Sequence, residues 1–446
     1  MLGNEISDYK TQRIMQEYGN KHLNLKEKVI LKSLLKCGKV VVSINHSHAV
    51  AVIANKTTAR YVGLNSCKSP WCCPVCSARQ MAKYAAKIAC ALDALKLRKQ
   101  SAAMFTFTIP HTSGFTCEQT TEILYNVWKA FTVHGNKVLA ASPNDVFSNF
   151  AATFNHKHTV RVCEYTWGSK GWHPHFHCLL WFPSDRIDEI LDWEERLNKR
   201  WLELCKRYTI KQLLLGYPET QRKTVRAQVN ARVNIMYSKM DTANSKGCYI
   251  SKDKGKVIVQ QSSDYLCGWG GNREVTGNVS LKATHPNHYT WQQILENAIK
   301  QTETAEGSSK KEVSEGAAQE TDWWKLFFEY AIATRKYRHA RINFSVHSGL
   351  NQIIAEHKNT ALYKTVLKKN ATSLEEKHGK WKTVCWFTIA QWKEIFANKL
   401  DVQIIMLATA ENAKQLIDEL LDKYRIPPSI ENQAAAAKLE AILNVA

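Results

Sequence analysis

The sequence predicts an α+β protein in which hairpin-connected strands alternate with long helices. Residues 158–182 contain two apolar, β-branched stretches joined by a Gly-Ser-Lys-Gly turn at 168–171, a combination typical of a β-hairpin. Residues 77–100 carry apolar side chains at helical spacing, and residues 184–214 are predicted to form a long charged helix. A cysteine cluster at residues 67–76 adds a zinc-binding segment ahead of this core.

The remaining elements are predicted from local composition. In chain order they are a polar helical leader (1–36), a β-branched strand (40–53), a buried strand ended by Pro110 (102–110), a helix (116–139), a second hairpin (246–261) and a weak C-terminal helix (434–446). Residues 301–320 contain no aromatic side chain and few apolar ones, which indicates a solvated linker.

These elements group into five predicted segments. They are a leader (1–60), a cysteine-rich zinc segment with a basic helix (61–100), a strand-rich core (101–300), the linker (301–320) and a mostly helical, basic C-terminal region (321–446). The length of 446 residues agrees with two or three domains.

The charge of the chain indicates a polyanionic partner. Lysine and arginine number 61 against 40 acidic residues, which gives a formal net charge of +21 and a pI near 9.4. Basic residues cluster in the helix around 79–99 and again at 335–341. The chain has no run of 18 apolar residues and no apolar signal core near residue 1, so we expect a cytoplasmic protein without membrane contact.

Three histidines at every second position are the strongest chemical signal. Residues 173–177 read His-Pro-His-Phe-His and run into an apolar stretch. Side chains alternate between the two faces of a strand, so His173, His175 and His177 are expected on one face. Imidazole is the commonest ligand for divalent transition metals, so this face is a candidate metal site.

The cysteine cluster predicts structural zinc. Residues 67–76 read Cys-Lys-Ser-Pro-Trp-Cys-Cys-Pro-Val-Cys, in which Cys73 and Cys76 have the two-residue spacing of a zinc knuckle. Cys67 is the candidate third ligand. The sequence leaves the fourth ligand open between Cys72, Cys90 and a histidine within 46–48. A redox pair is the alternative interpretation, but the additional cysteines suit metal coordination better.

Taken together, these motifs resemble a known family. The order FTFTIP, CEYTWGSKGWHPHFHCLLWF and DYLCGWGGNREVTG is similar to that of the rolling-circle replication initiators of plasmids and phages, which belong to the HUH endonuclease superfamily. The cysteine segment, NHYTWQQIL at 287–295 and the region 329–350 also resemble this family. The resemblance covers about residues 60–350.

The resemblance implies a fold and a metal site. Residues 101–300 would form a nuclease domain around a central antiparallel sheet flanked by helices. His175 and His177 would hold one Mg²⁺ or Mn²⁺, with Glu164 as a third ligand or a supporting group. His173 would contact DNA or be structural.

The resemblance also implies a tyrosine nucleophile, for which two residues compete. Tyr265 lies in the segment that resembles the family's nucleophile helix, but Gly268 replaces the expected lysine three residues later. Tyr249 has Lys252 at that spacing, but it is predicted to lie on a hairpin strand at a sheet edge. The sequence favours Tyr265. Glu274 is the nearby acid that could activate water at the end of the cycle.

The implied activity is nicking of one strand at a single-stranded or hairpin origin, with a 5′-phosphotyrosyl link and later rejoining. A P-loop motif is absent from the sequence, so a host helicase would be needed. Two other functions fit some of the motifs. A single-strand transposase of the same superfamily also pairs a zinc segment with such a nuclease, and a non-catalytic zinc-containing DNA-binding repressor would explain the charge and the cysteines.

Overall fold

The protein is described by a computed structural model. It describes residues 5–42, 49–110, 114–132, 146–186, 188–238, 248–250, 252–253, 256–257, 259–260, 288–307, 321–336, 342–344, 349–361, 364, 379–430 and 433–444. These residues form a mixed α+β structure with antiparallel sheets and many helices, as the sequence predicts.

The chain divides into two compact units. Unit 1 contains Met1–Gln80 together with Asn359–Ala446, and unit 2 contains Met81–Lys358. The sequence predicts a different division, with separate segments at the two ends. The ends share one unit because strands from both ends pair in the same sheet, a contact that local composition does not encode.

Unit 2 is built on an antiparallel sheet. Its strands are β3 (Gln100–Thr108), β4 (Thr159–Gly168), β5 (Gly171–Pro183), β6 (Cys248–Ile250), β9 (Val259–Gln260), β10 (His288–Tyr289) and β11 (Ile342–Phe344). The main path runs β10-β4-β5-β3-β6, while β11 also pairs with β4 and β9 also pairs with β3. The predicted hairpin is confirmed as β4–β5, and Gly171 adopts the positive φ of 86° that its turn requires.

The second predicted hairpin is also present in part. Strands β7 (Lys252–Asp253) and β8 (Lys256–Val257) pair antiparallel on either side of residues 254–255.

Helices of unit 2 pack around this sheet. They are α4 (Pro74–Lys96, which begins in unit 1), α5 (Cys117–Thr132), α6 (Val146–Thr153), α7 (Ile190–Leu215), α8 (Arg222–Ser238), α9 (Trp291–Gly307), α10 (Trp323–Lys336) and α11 (Leu350–Lys358). Phe107 of β3 packs 5.3 Å from Trp128 of α5 and 4.8 Å from Trp201 of α7 between ring centroids. These aromatic contacts bury the face opposite the histidines, so the histidine face is set by the alternation of the strands.

Unit 1 combines a three-stranded antiparallel sheet with helices from both ends of the chain. The strands are β1 (Ala49–Ala54), β2 (Ala59–Val62) and β12 (Lys382–Thr388), in the order β12-β1-β2. The helices are α1 (Glu5–His22), α2 (Leu25–Ile30), α3 (Lys32–Leu35), α12 (Ile389–Ala397), α13 (Asp401–Leu407), α14 (Ala413–Lys423) and α15 (Gln433–Asn444). Arg13 of α1 and Asp401 of α13 form an ion pair of 2.8 Å, which adds a polar contact between the two ends.

The described part of the C-terminal region is mostly helical, as the sequence predicts, and it also contains strands β11 and β12. Strand β12 pairs along its length with β1, from Ala49 opposite Thr388 to Ala54 opposite Lys382. The β-branched and aromatic composition of β12, Lys-Thr-Val-Cys-Trp-Phe-Thr, suits a strand that packs on one face.

Candidate metal centres

The histidine strand β5 lies between β3 and β4, and the register fixes which residues meet. His177 lies opposite Val162 of β4 and Thr106 of β3, and His175 lies opposite Glu164 and Thr108. Residues that face each other across an antiparallel pair share a sheet face. The sheet therefore brings Glu164 beside both histidines.

The three side chains converge on one point. Oε2 of Glu164 lies 2.9 Å from Nε2 of His177 and 3.2 Å from Nε2 of His175. One ligand atom from each of these residues lies within 4.8 Å of the others. The histidine side chains are buried, while Glu164 retains 27% of its exposure. The trio is thus rigid on the histidine side and accessible on the carboxylate side.

The far nitrogens of both rings also have partners. Nδ1 of His177 lies 3.1 Å from Oγ1 of Thr106, and Nδ1 of His175 lies 3.3 Å from the backbone oxygen of His173. A carbonyl oxygen can only accept, so Nδ1 of His175 carries the hydrogen. In the neutral ring, Nε2 then presents a lone pair to the Glu164 carboxylate. A proton on the ring or a metal ion satisfies these two acceptors, and two imidazole nitrogens with one carboxylate oxygen form a ligand set that suits a divalent transition metal.

His173 lies next to the trio without joining it. Its ring centroid is 5.0 Å from that of His175, and its own strand position is opposite Thr166. Among the described residues, the converging set on this face consists of Glu164, His175 and His177. The side chain of His173 is therefore placed to flank the centre, while its carbonyl orients His175.

Of the two candidate nucleophiles, only Tyr249 lies among the residues that the structure describes. Tyr249 lies in β6, at the register position opposite Thr106, which in turn is opposite His177. Strand β6 is a terminal strand of the described sheet, at the edge where the sequence predicts it, and it pairs with β3. Tyr265 and Glu274 lie outside the described residues.

A second cluster contains four cysteines of unit 1. Cys37, Cys67, Cys73 and Cys76 bring their sulfur atoms within 4.8 Å of one another. The sulfur of Cys37 lies 3.5 Å from that of Cys76 and 3.8 Å from that of Cys73. Four thiolates at such distances match the tetrahedral all-cysteine site of structural zinc. The cluster could therefore hold one zinc ion, with the three predicted ligands and Cys37 as the fourth.

Contacts around the cysteine cluster support this assignment. The backbone N–H of Cys67 donates to the sulfur of Cys37 at 3.3 Å, and the Gln12 amide donates to the sulfur of Cys73 at 3.2 Å. Donors directed at sulfur stabilise thiolates. Hydrogen bonds from the Cys37, Cys67 and Cys73 thiols hold the pKa of Cys76 well below its usual value, whereas burial holds the pKa of Cys73 well above its own.

The two other cysteines that the sequence offers as the fourth zinc ligand contact other groups. The sulfur of Cys72 contacts Oγ of Ser69 at 3.1 Å, and the thiol of Cys90 donates to the backbone oxygen of Ile354. The histidines of 46–48 lie outside the described residues. Cys72 therefore lies outside the four-sulfur cluster.

Two residues of these centres were not predicted. Cys37 stands 30 residues before Cys67 with no partner at knuckle spacing, and its one local signal is Gly38, which adopts a φ of 74°. Thr106 could have been found from alternation alone, because the strand FTFTIP places Thr106 and Thr108 on the face opposite Phe105 and Phe107.

Comparison of the chain with protein-family models, with curated proteins and with solved structures finds no match. Within the described part of the chain, the helices are too short or too polar to cross a membrane.

Proposed function

We propose that the protein is a metal-dependent DNA nickase of the HUH type that initiates rolling-circle replication. The observation that carries this proposal is the convergence of Glu164, His175 and His177 on one sheet face, with Tyr249 in the register row of His177. A DNA-cutting site needs charge neutralisation at the phosphate and a nucleophile on a neighbouring rigid element. The net charge of +21 suits a DNA partner.

The proposed reaction is a phosphoryl transfer to tyrosine. Glu164, His175 and His177 would hold a divalent ion, which would supply charge neutralisation and polarisation at the scissile phosphate. The tyrosine oxygen forms a bond to phosphorus while the bond from phosphorus to the 3′ oxygen breaks. The phenol loses its proton, and the departing 3′ oxygen gains one. The 5′-phosphotyrosyl link keeps the bond energy for rejoining, which suits an initiator that later closes the displaced strand.

The described register favours Tyr249 as the nucleophile, although the sequence favours Tyr265. Neighbouring strands lie about 4.8 Å apart, so the position opposite Thr106 is two strand spacings from His177. A free phenol has a pKa of about 10, so a bound metal ion or a neighbouring cation would have to favour its ionised form. In this proposal Glu274 remains the acid that ends the cycle.

The donor set favours Mn²⁺ over Mg²⁺. Two imidazole nitrogens and one carboxylate oxygen suit first-row transition ions, whereas Mg²⁺ prefers an all-oxygen shell that retains several waters. We place this activity in the cytoplasm. Unwinding of the DNA would need a host helicase, because the sequence contains no P-loop motif.

The experiment that tests the proposal is nicking of single-stranded DNA from a library of hairpins in the presence of Mn²⁺. His175→Ala and His177→Ala should each abolish nicking and leave DNA binding largely unchanged, because both changes remove only a metal ligand. His288→Ala is the control, since His288 lies in the same sheet opposite Gly168 and outside the trio. Wild-type nicking in either ligand variant would exclude the metal assignment. Binding without nicking by the wild-type chain would favour the repressor.

The nucleophile is identified by mass spectrometry of the protein–DNA adduct. Tyr249→Phe should remove the adduct and Tyr265→Phe should keep it, because phenylalanine retains the ring and loses only the hydroxyl. The reverse result would return the role to Tyr265. Persistence of the adduct in both variants would exclude both tyrosines.

A further inference from the structure

The long helices α7 and α8 form a strongly basic helical hairpin. Residues 196–238, the basic hairpin, carry ten lysines and arginines against two acids, Glu203 and Glu219. This is a net charge of +8 in 43 residues, compared with +21 for all 446. A tenth of the chain therefore carries more than a third of its net charge, and the nickase chemistry proposed above uses none of it.

The basic hairpin is held in shape by buried contacts. Val229, Val233 and Tyr237 of α8 are buried at helical spacing, and the Tyr237 hydroxyl lies 2.9 Å from that of Thr209 in α7. At the turn, Nε of Arg222 donates to the backbone oxygens of Leu214 and Tyr217, both at 3.1 Å. Helix α8 is thus a rigid element with one face fixed on α7.

The opposite face of α8 is exposed and has an unusual composition. Its side chains are mostly small, amide or hydroxyl groups: Thr224, Ala227, Gln228, Ala231, Asn234 and Ile235. Lys223, Arg226 and Arg232 are also exposed and border this face. An apolar protein partner would need a continuous apolar stripe, but Ile235 is the one large apolar side chain among these residues. Amides flanked by cations suit a polar, anionic surface.

Duplex DNA has the chemistry that fits this face. Glutamine and asparagine form paired hydrogen bonds with adenine in the major groove, and alanine and threonine methyl groups contact the thymine methyl. Lysine and arginine at the borders contact the phosphates, which fixes the register of a helix in the groove. Helix α8 is about 25 Å long, and the major groove, about 12 Å wide, admits one α-helix.

We infer that α8 binds in the major groove of duplex DNA, with Lys223, Arg226 and Arg232 on phosphates and with Gln228 and Asn234 on base edges of A·T pairs. This inference rests on the proposed function in one respect, that the polyanion is DNA. It adds a sequence-reading surface on duplex DNA, separate from the metal centre that cuts a single strand.

The phosphate contacts are tested by anisotropy with a short duplex of random sequence, in buffer without added divalent metal so that no cleavage can occur. The triple variant Lys223→Ala, Arg226→Ala, Arg232→Ala should lower the slope of log Kd against log salt by about 2 to 3, because each phosphate contact contributes about 0.9. Alanine preserves the helix. The control triple is Lys26→Ala, Lys393→Ala, Lys423→Ala, which removes the same charge from exposed positions of unit 1. An equal loss in the control, or no loss in the α8 variant, overturns the assignment.

The base contacts are tested by selection from a random duplex pool in the same buffer. The wild type should enrich sequences with A·T pairs, and Gln228→Ala, Asn234→Ala should lose that preference while keeping the salt slope. Absence of enrichment by the wild type, or unchanged enrichment by the double variant, overturns base reading. Single-stranded DNA of the same length should compete weakly, and equal competition would overturn duplex DNA as the occupant. Because nicking is not measured, these outcomes are independent of the nickase proposal.

Discussion

Contacts to the far nitrogens of His175 and His177 orient both rings for metal binding. The carbonyl of His173 fixes the hydrogen of His175 on Nδ1, and the Thr106 hydroxyl contacts Nδ1 of His177. Both Nε2 atoms are thereby oriented toward Glu164. Partners on the far nitrogen of a ligating histidine fix the ring and raise its basicity, so their loss weakens metal binding.

Thr106→Val should therefore weaken Mn²⁺ binding by about 10- to 100-fold, measured by titration calorimetry. Valine has the shape of threonine but lacks the hydroxyl that holds His177. Thr106→Ser should restore most of the affinity. Thr108→Val is the matched control, because Thr108 lies in the same strand opposite His175, whose Nδ1 faces a carbonyl instead. Equal weakening by the Thr108 change would contradict a role for the Thr106 hydroxyl.

The two buried cysteines Cys37 and Cys72 give a second matched pair. Cys37 belongs to the four-sulfur cluster, whereas Cys72 contacts Ser69. Cys37→Ser should lose the zinc, while Cys72→Ser should retain about one ion per chain, measured by elemental analysis of protein prepared without chelator. Loss of a ligand also removes the folding energy that a structural zinc supplies. Zinc retained in Cys37→Ser would show that the fourth ligand is another group.

Helix α7 packs against strand β3 on the face of the sheet opposite the histidines. Trp201 of α7 is fully buried, and its indole N–H donates to the backbone oxygen of Thr108 at 2.6 Å. The same ring packs on Phe107 and Phe131. One side chain thus anchors α7 to β3 at the end that carries Thr108, opposite His175.

Trp201→Phe should lower the free energy of unfolding by about 1–3 kcal/mol, because the buried carbonyl of Thr108 loses its donor while much of the aromatic packing remains. Trp201→Ala should cost about 3–5 kcal/mol, since the packing is lost as well. Urea unfolding followed by circular dichroism measures both. If both variants were as stable as the wild type, the contacts of the Trp201 indole would not anchor the helix.

For the chain as a whole, the excess of positive charge sets how it meets DNA. The net charge of +21 is distributed over both units, with a concentration in the basic hairpin. We predict that the affinity for DNA falls steeply as the salt concentration rises. Each neutralised phosphate releases counterions and contributes about −0.9 to the slope of log affinity against log salt. Six contacts would lower affinity by about 10³ between roughly 50 and 200 mM salt.

Anisotropy across that range measures the slope, and a peptide nucleic acid duplex of the same sequence, which lacks phosphates, is the control. A flat response would contradict binding along the phosphate backbone.

The sequence by itself determined the α+β class, the β4–β5 hairpin, the shared face of His175 and His177, and three of the four cysteines. These features depend on local rules: strand alternation, turn composition and the spacing of a zinc knuckle. Each is complete within a few residues or across a single tight turn.

Only the tertiary structure decided the rest. Cys37 joins the cluster, and β12 pairs with β1, through contacts between segments far apart in the chain, which carry no local signature. For the same reason, only the structure gives the register of Tyr249, which lies opposite Thr106 of β3 and thus two strands from His177. Register between strands that are distant in sequence is set by packing of the whole sheet, so no local pattern could supply it.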